Sequence, residues 1–137
     1  MAELLDAALL FQRLLDESKP EGSTVAGDLD MDSFDEIPFI THSTLIQLAG
    51  NGPGVWNVTL TVNLFLDPAG AFPVVAAVYR AIHAWGEDPD AGVVADLAGI
   101  EEVEDLNAFV PVSGEVVMNN KVCRHYQGTF NIVARAH

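Results

Sequence analysis

The sequence is short of basic residues and of cysteine, and it contains no long apolar run. Six Lys and Arg stand against 20 Asp and Glu, a formal net charge of −14. Small soluble domains ordinarily carry a net charge of about 2–8 in magnitude. So few cations argue against sequence-independent binding to nucleic acid, because affinity for the phosphate backbone comes from basic side chains that release counterions. Docking on an anionic membrane surface fails on the same ground. The single cysteine, Cys123, cannot form an intrachain disulfide, so nothing points to an oxidising compartment. The longest apolar run, residues 71–79, contains Pro73 and is far short of the roughly 20 residues a spanning helix needs. The N-terminal stretch is apolar, but Glu3 and Asp6 sit where a signal peptide needs positive charge. A soluble, intracellularly made product is expected.

What is present is the composition of a folded domain. Half of the 137 residues are hydrophobic and 19% are charged, which excludes an acid-rich disordered tail. The length suits one domain over residues 1–137, able to bury roughly two-thirds of its unfolded surface without staples.

Residues 4–17 read as an amphipathic helix with Leu4, Ala8, Phe11 and Leu15 as its stripe, widened by Leu5 and Leu14 and ended by Pro20 and Gly22. A short strand over 23–29 follows, then the acidic loop 30–36, then a strand at about 37–48. The stretch Ala49–Gly54 supplies three glycines and a proline, the chemistry of a hairpin turn. Residues 55–67 alternate: Trp56, Val58, Leu60, Val62, Leu64 and Leu66 face one way, and Asn57, Thr59, Thr61 and Asn63 face the other. Asp67-Pro68 reads as the cap and first turn of a helix at about 69–85, with Phe72, Val75, Ala76, Tyr79 and Ile82 buried and Gly86 closing it. A strand within 100–110 and one long strand within 116–134 complete the order α-β-β-β-α-β-β. With no βαβ alternation, this predicts an α+β fold: a mainly antiparallel sheet of about four or five strands with two helices on one face.

No catalytic, cofactor or metal motif is found. An EF-hand loop starting at Asp28 would need glycine where Ser33 stands and glutamate where Phe39 stands. The loop carrying Asp30, Asp32, Asp35 and Glu36 is therefore expected to be an exposed, solvated segment. The glycines at 50, 52 and 54 lack the spacing of a dinucleotide loop and the Lys-Ser/Thr of a P-loop. None of His42, His83, His125 and His137 has a histidine four residues on, so no zinc helix is present. Cys123 and His125 share one side of a strand, the spacing of a thiol–imidazole pair, but no local motif supplies an orienting group or an oxyanion hole.

Charge is segregated along the chain. Residues 1–105 hold 19 acids and three bases, whereas residues 106–137 hold Glu115 against Lys121, Arg124 and Arg135. Glu101, Glu102, Glu104 and Asp105 form the densest acidic run. Two readings follow. Cross-strand pairs within one sheet would each add about 0.2–1 kcal/mol. Alternatively, Lys121, Arg124 and Arg135 of one subunit would meet Glu101, Glu102 and Asp105 of the next in a head-to-tail contact.

The helix ending at Ser18–Pro20, the segments Glu21–Asp30 and Ile37–His42, the strand Trp56–Phe65, the helix end Val78–Trp85, the segment Val103–Phe109 and the final long strand together resemble the tail terminator proteins of long-tailed bacteriophages, especially those infecting actinobacteria. The similarity runs over nearly the whole chain. That family has no signature of functional residues, so none is carried over. The resemblance implies an α+β sheet backed by two helices and a homohexameric ring in the virion, made in the host bacterial cytoplasm. Such a ring caps the head-proximal end of the tail tube, stops polymerisation of the tail tube protein and joins the tail to the head connector. DNA would pass through the bore without being specifically bound. Head–tail stoppers and other neck proteins are the nearest alternatives; a small cytoplasmic enzyme or ligand-binding domain is the alternative from another class.

Overall fold

The computed structural model of the chain describes residues 4–27, 38–48, 52, 54–113, 116–118 and 121–137. Among them lie two helices, α1 (Ala7–Ser18) and α2 (Ala71–Glu87), and seven strands: β1 (Thr24–Gly27), β2 (Phe39–Leu48), β3 (Val55–Leu66), β4 (Val93–Val94), β5 (Ala98–Pro111), β6 (Val116–Met118) and β7 (Lys121–Ala136). The strands run β1-β2-β3-β7-β5-β4 across the sheet, and β6 pairs with β7 off that path. The fold class is α+β with both helices on one face, as the patterning predicts.

Three details differ from the expectation. β1 pairs with β2 in parallel, because residues 28–38 separate them and a connection of that length permits a return in the same direction. The single long strand expected over 116–134 is two strands, β6 and β7, with Met118 opposite Lys121. Only Asn119-Asn120 separates them, and asparagine suits two-residue hairpin connections. The two-residue β4 was too short to leave a periodic signal.

Helix α1 starts where Asp6 Oδ1 accepts a hydrogen bond from the Leu9 N–H at 3.1 Å. Leu4 thus lies ahead of the helix and is 82% exposed, and the buried stripe is Ala7, Leu10, Phe11, Leu14 and Leu15 rather than the one through Leu4 and Ala8. Asp67 Oδ1 accepts from the Ala69 N–H, but the N-cap of α2 is Gly70. The later start shifts the stripe to Ala71, Val75, Val78, Ile82 and Trp85, and Phe72 is 73% exposed. Gly86 lies inside this helix, which ends at Glu87.

Against these stripes lies one face of the sheet. Val58, Leu60, Val62, Leu64 and Leu66 of β3 and Phe130, Ile132 and Ala134 of β7 are all buried and join both helices in one core cluster. Burying each of the Val, Leu, Ile and Phe side chains stabilises by about 1.5–3 kcal/mol. Trp85 couples the helices: its ring lies 5.9 Å from that of Phe11, and its Nε1–H donates to Ser18 Oγ at 3.3 Å. His42, also facing the helices, donates from Nε2 to Gln12 Oε1 at 2.7 Å, and Gln12 Nε2 donates to the Val25 carbonyl at 3.0 Å. That chain of hydrogen bonds ties α1 to both β1 and β2. No described helix is long and apolar enough to cross a membrane.

The β2–β3 turn falls where the glycines predict. Residues 49–51 and 53 lie outside the described residues, but Gly54 has φ +78°, which a side chain would disfavour, and its carbonyl accepts from the Ala136 N–H. Gly128 serves a different purpose. A Cβ there would stand 2.9 Å from the ring of Phe109, which packs edge-on against Phe130. Gly128→Ala should therefore displace Phe109 and lower unfolding free energy by about 1–3 kcal/mol in urea titrations. The same change made in a Phe109→Leu background should cost clearly less.

Candidate functional site

The second half of the sheet carries a ribbon beyond its helix-covered part. β3 ends its pairing with Leu66 opposite Arg124, so Lys121, Val122 and Cys123 pair with β6 alone. β5 reaches the ribbon at Pro111 opposite Tyr126, and the Val112 N–H continues the ladder to the His125 carbonyl at 2.9 Å. Val112, Val117 and Val122 are exposed along it, Val117 at 62%, and Leu106 and Val110 are exposed on β5 ahead of it. Phe72 lies six residues past Leu66, where the same end of the sheet leads into α2. Exposed apolar side chains gathered on one feature often mark a place where something packs.

At the root of the ribbon is a cleft of about 490 Å³, lined by Pro68, Pro111, Val112, Ser113, Val122, Cys123, Arg124 and His125. Arg124 is exposed and forms no ion pair among the described residues. His125 stacks on Phe65 at 4.5 Å and donates from Nε2 to Asn63 Oδ1 at 2.7 Å, an oxygen that also accepts from Gln127 Nε2. Desolvation by burial holds the imidazole below its ordinary pKa, which favours its neutral form. Cys123 is only 3% exposed. The thiol–imidazole spacing read from the sequence is thus real, but the imidazole is committed to Asn63 and the thiol is shielded.

A second polar cluster joins α2 to β5. Asp105 accepts from the Tyr79 hydroxyl at 2.5 Å and from His83 Nε2 at 2.6 Å. Partial burial pushes the Asp105 carboxyl up, but hydrogen bonds from Tyr79 and His83 and the His83 charge outweigh it, and its pKa lies below the ordinary value. The same hydrogen bond, with burial and the carboxylate's charge, raises the Tyr79 phenol. Tyr79 and His83 are i, i+4 neighbours on one helix face, the one sequence signal that could have exposed this cluster.

The predicted contact residues fall into three groups. Arg135 Nε donates to Glu101 Oε1 at 2.7 Å, so this pair closes within the chain. Asp105 is likewise engaged by Tyr79 and His83. Glu101 and Asp105 thus have partners within the chain: Glu101 meets Arg135 across the adjacent strands β5 and β7, and Asp105 meets helix α2. Glu102 and Glu104 are exposed on β5, Arg124 faces the cleft, and Lys121 opens β7 opposite Met118. Asp30, Asp32, Asp35 and Glu36 lie outside the described residues.

The acidic run has a structural use as well. Past Gly99 the far side of β5 has no strand partner among the described residues, and its ladder with β7 shifts register three times between Ile100 and Val110. Bulges and carboxylates are the usual means of keeping a bare edge from pairing with foreign strands.

Among the described residues, no group of three or more His, Cys, Asp and Glu is placed to hold a metal ion. No protein-family model and no curated protein matches the sequence.

The Asp105 cluster yields a pH test. Its folded pKa is depressed, so its stabilisation is present above the ordinary carboxylate pKa and is lost as pH falls through the folded value. Asp105→Asn should lower unfolding free energy by about 1 kcal/mol at neutral pH. The difference from the parent, followed by urea titration at a series of pH values, should vanish in acid.

Proposed function

We propose that the chain is a non-enzymatic structural protein that assembles with itself into a ring at the head-proximal end of a phage tail tube, as a tail terminator. One observation carries this reading beyond the resemblance in sequence. Three exposed valines, Val112, Val117 and Val122, and the one cation of the cleft lie together on a ribbon that extends the central strand β7 at one end of the sheet, on a chain of strongly acidic charge. An apolar feature with a cation at one place on such a surface suits a heterologous, head-to-tail contact, which closes into a ring when the rotation per subunit allows. The charge supports the role too. A ring through which DNA passes must not bind it, and a net charge of −14 per subunit disfavours phosphate contacts. The edge of β5, blunted by acids and bulges, further opposes open-ended strand addition.

Arrest of tube growth tests the function. The tail tube protein of the same phage, polymerised with this chain in substoichiometric amounts, should give short tubes capped at one end in negative-stain micrographs. Tubes of unchanged length without caps would overturn the terminator reading. Binding to a head-side connector but not to tube would instead assign the chain to the stopper layer.

A further inference from the structure

The sheet uses up some of the charges around β5 and β7 and leaves others free. Arg135 is held by Glu101, whereas Arg124 is exposed at the cleft and forms no ion pair among the described residues. Asp105 is held by Tyr79 and His83, whereas Glu102 and Glu104 are exposed and likewise form no ion pair among the described residues. Strand alternation is the cause. Asp105 stands opposite Phe130 and turns toward α2, while Glu102 and Glu104 stand opposite Val133 and Asn131 on the face without helices.

That stretch of β5 combines two chemistries. Leu106, 52% exposed, follows the two free carboxylates along one strand. Past Gly99 the outer side of this strand has no strand partner among the described residues. Acids beside the other exposed apolar side chains are differently placed. Asp6, near Leu4 and Leu9, caps α1, and Asp67, ahead of Phe72, accepts from the Ala69 N–H. Near Val93, Asp88 accepts from the Asp90 N–H, and Asp90 and Asp96 lie singly in the turns flanking β4.

The cleft offers what this edge lacks. Its walls include the apolar side chains of Pro68, Pro111, Val112 and Val122, and its cation is Arg124. Carboxylates along a bare edge turn away foreign strands, but they admit a surface that brings a cation. The two features cannot meet within one chain. Asn131, opposite Glu104, is seven residues from Arg124 along β7, and Val133, opposite Glu102, is nine. At about 3.3 Å per residue, they stand roughly 23–30 Å away.

We propose that the cleft at Arg124 receives the outer edge of β5 from a second copy of this chain, with Glu102 and Glu104 at the guanidinium and Leu106 against Val112 and Val122. This deepens the ring reading and rests on it. Two different patches, remote on one chain, are the elements of a head-to-tail contact. The charges fix its register and direction.

Charge exchange tests it. Sedimentation of the parent first establishes whether a closed oligomer forms; a monomer there overturns the ring reading and this inference with it. If the oligomer forms, Arg124→Glu should weaken assembly by about tenfold or more, and so should Glu102→Lys combined with Glu104→Lys. All three changes in one chain exchange the signs across the contact and should recover most of that loss. Circular dichroism establishes that each variant keeps the fold. Crosslinking supplies a readout that does not depend on charge. In a Cys123→Ser background, chains with Ser113→Cys in the cleft wall are mixed with chains carrying Asn107→Cys on β5. Each chain then holds one cysteine, and the mixed disulfide should exceed either self-paired one. An oligomer indifferent to Arg124→Glu, a folded triple variant that recovers nothing, or an oligomer without the mixed disulfide overturns the cleft contact and leaves the ring reading standing.

Discussion

The pairing of β3 with β7 is the interaction on which the rest of the structure depends. Twelve residues of β3, from Val55 to Leu66, stand in unbroken register with Arg135 to Arg124 of β7. The period-2 rule then fixes everything on either side, because a slip of one residue would turn Val58, Leu60, Val62 and Leu64 away from the helices. With that register in place, Phe130 and Ile132 join the same face, and α1 and α2 bury their stripes against it. The pairing also determines what projects. β3 stops at Leu66, β7 begins before Arg124, and the surplus of β7 can pair only with β6. The ribbon and its cleft follow from unequal strand lengths in the central pair.

Electrostatics shapes the outside as strongly as packing shapes the inside. With so few cations in the chain, each one's place matters. Arg135 is spent on Glu101 across the β5–β7 ladder, and Lys19 on Asp16 within a turn of α1. Such exposed pairs contribute little stability, about 0–1 kcal/mol each. Arg124 is left at a cleft with apolar walls, where an approaching carboxylate would lose water and the attraction would strengthen. Two copies of a chain of this net charge would repel at long range, but screening over about 8–10 Å at physiological salt leaves short-range complementarity to govern any contact.

Much of the fold was legible in the order of residues, and the failures have physical causes. The alternation from Trp56 to Leu66, the glycine-rich turn before it and the two helices were plain because each rests on a periodicity longer than two turns or four strand positions. The helix stripes were displaced because Asp6 and Gly70, not the first apolar residue, set where each helix begins. The parallel β1–β2 pair and the two-residue β4 left no periodic mark at all. Of the candidate site, the charge segregation and the shared side of Cys123 and His125 were visible. The assignment of partners was not. Sequence distance alone could not tell that Glu101 would meet Arg135 in its own chain, or that Tyr79 and His83 would take Asp105, since those contacts depend on which strand lies next to β5 and on where α2 crosses it. The cleft was invisible for the same reason: its walls come from the ends of three separated strands.

The central claim is closed self-assembly through one lateral contact, and sedimentation velocity of the purified chain over a wide concentration range tests it most directly. The account predicts a single closed species whose size stays constant once formed, in exchange with monomer on dilution. A monomer at every concentration, or a ladder of species that lengthens without limit, would contradict it.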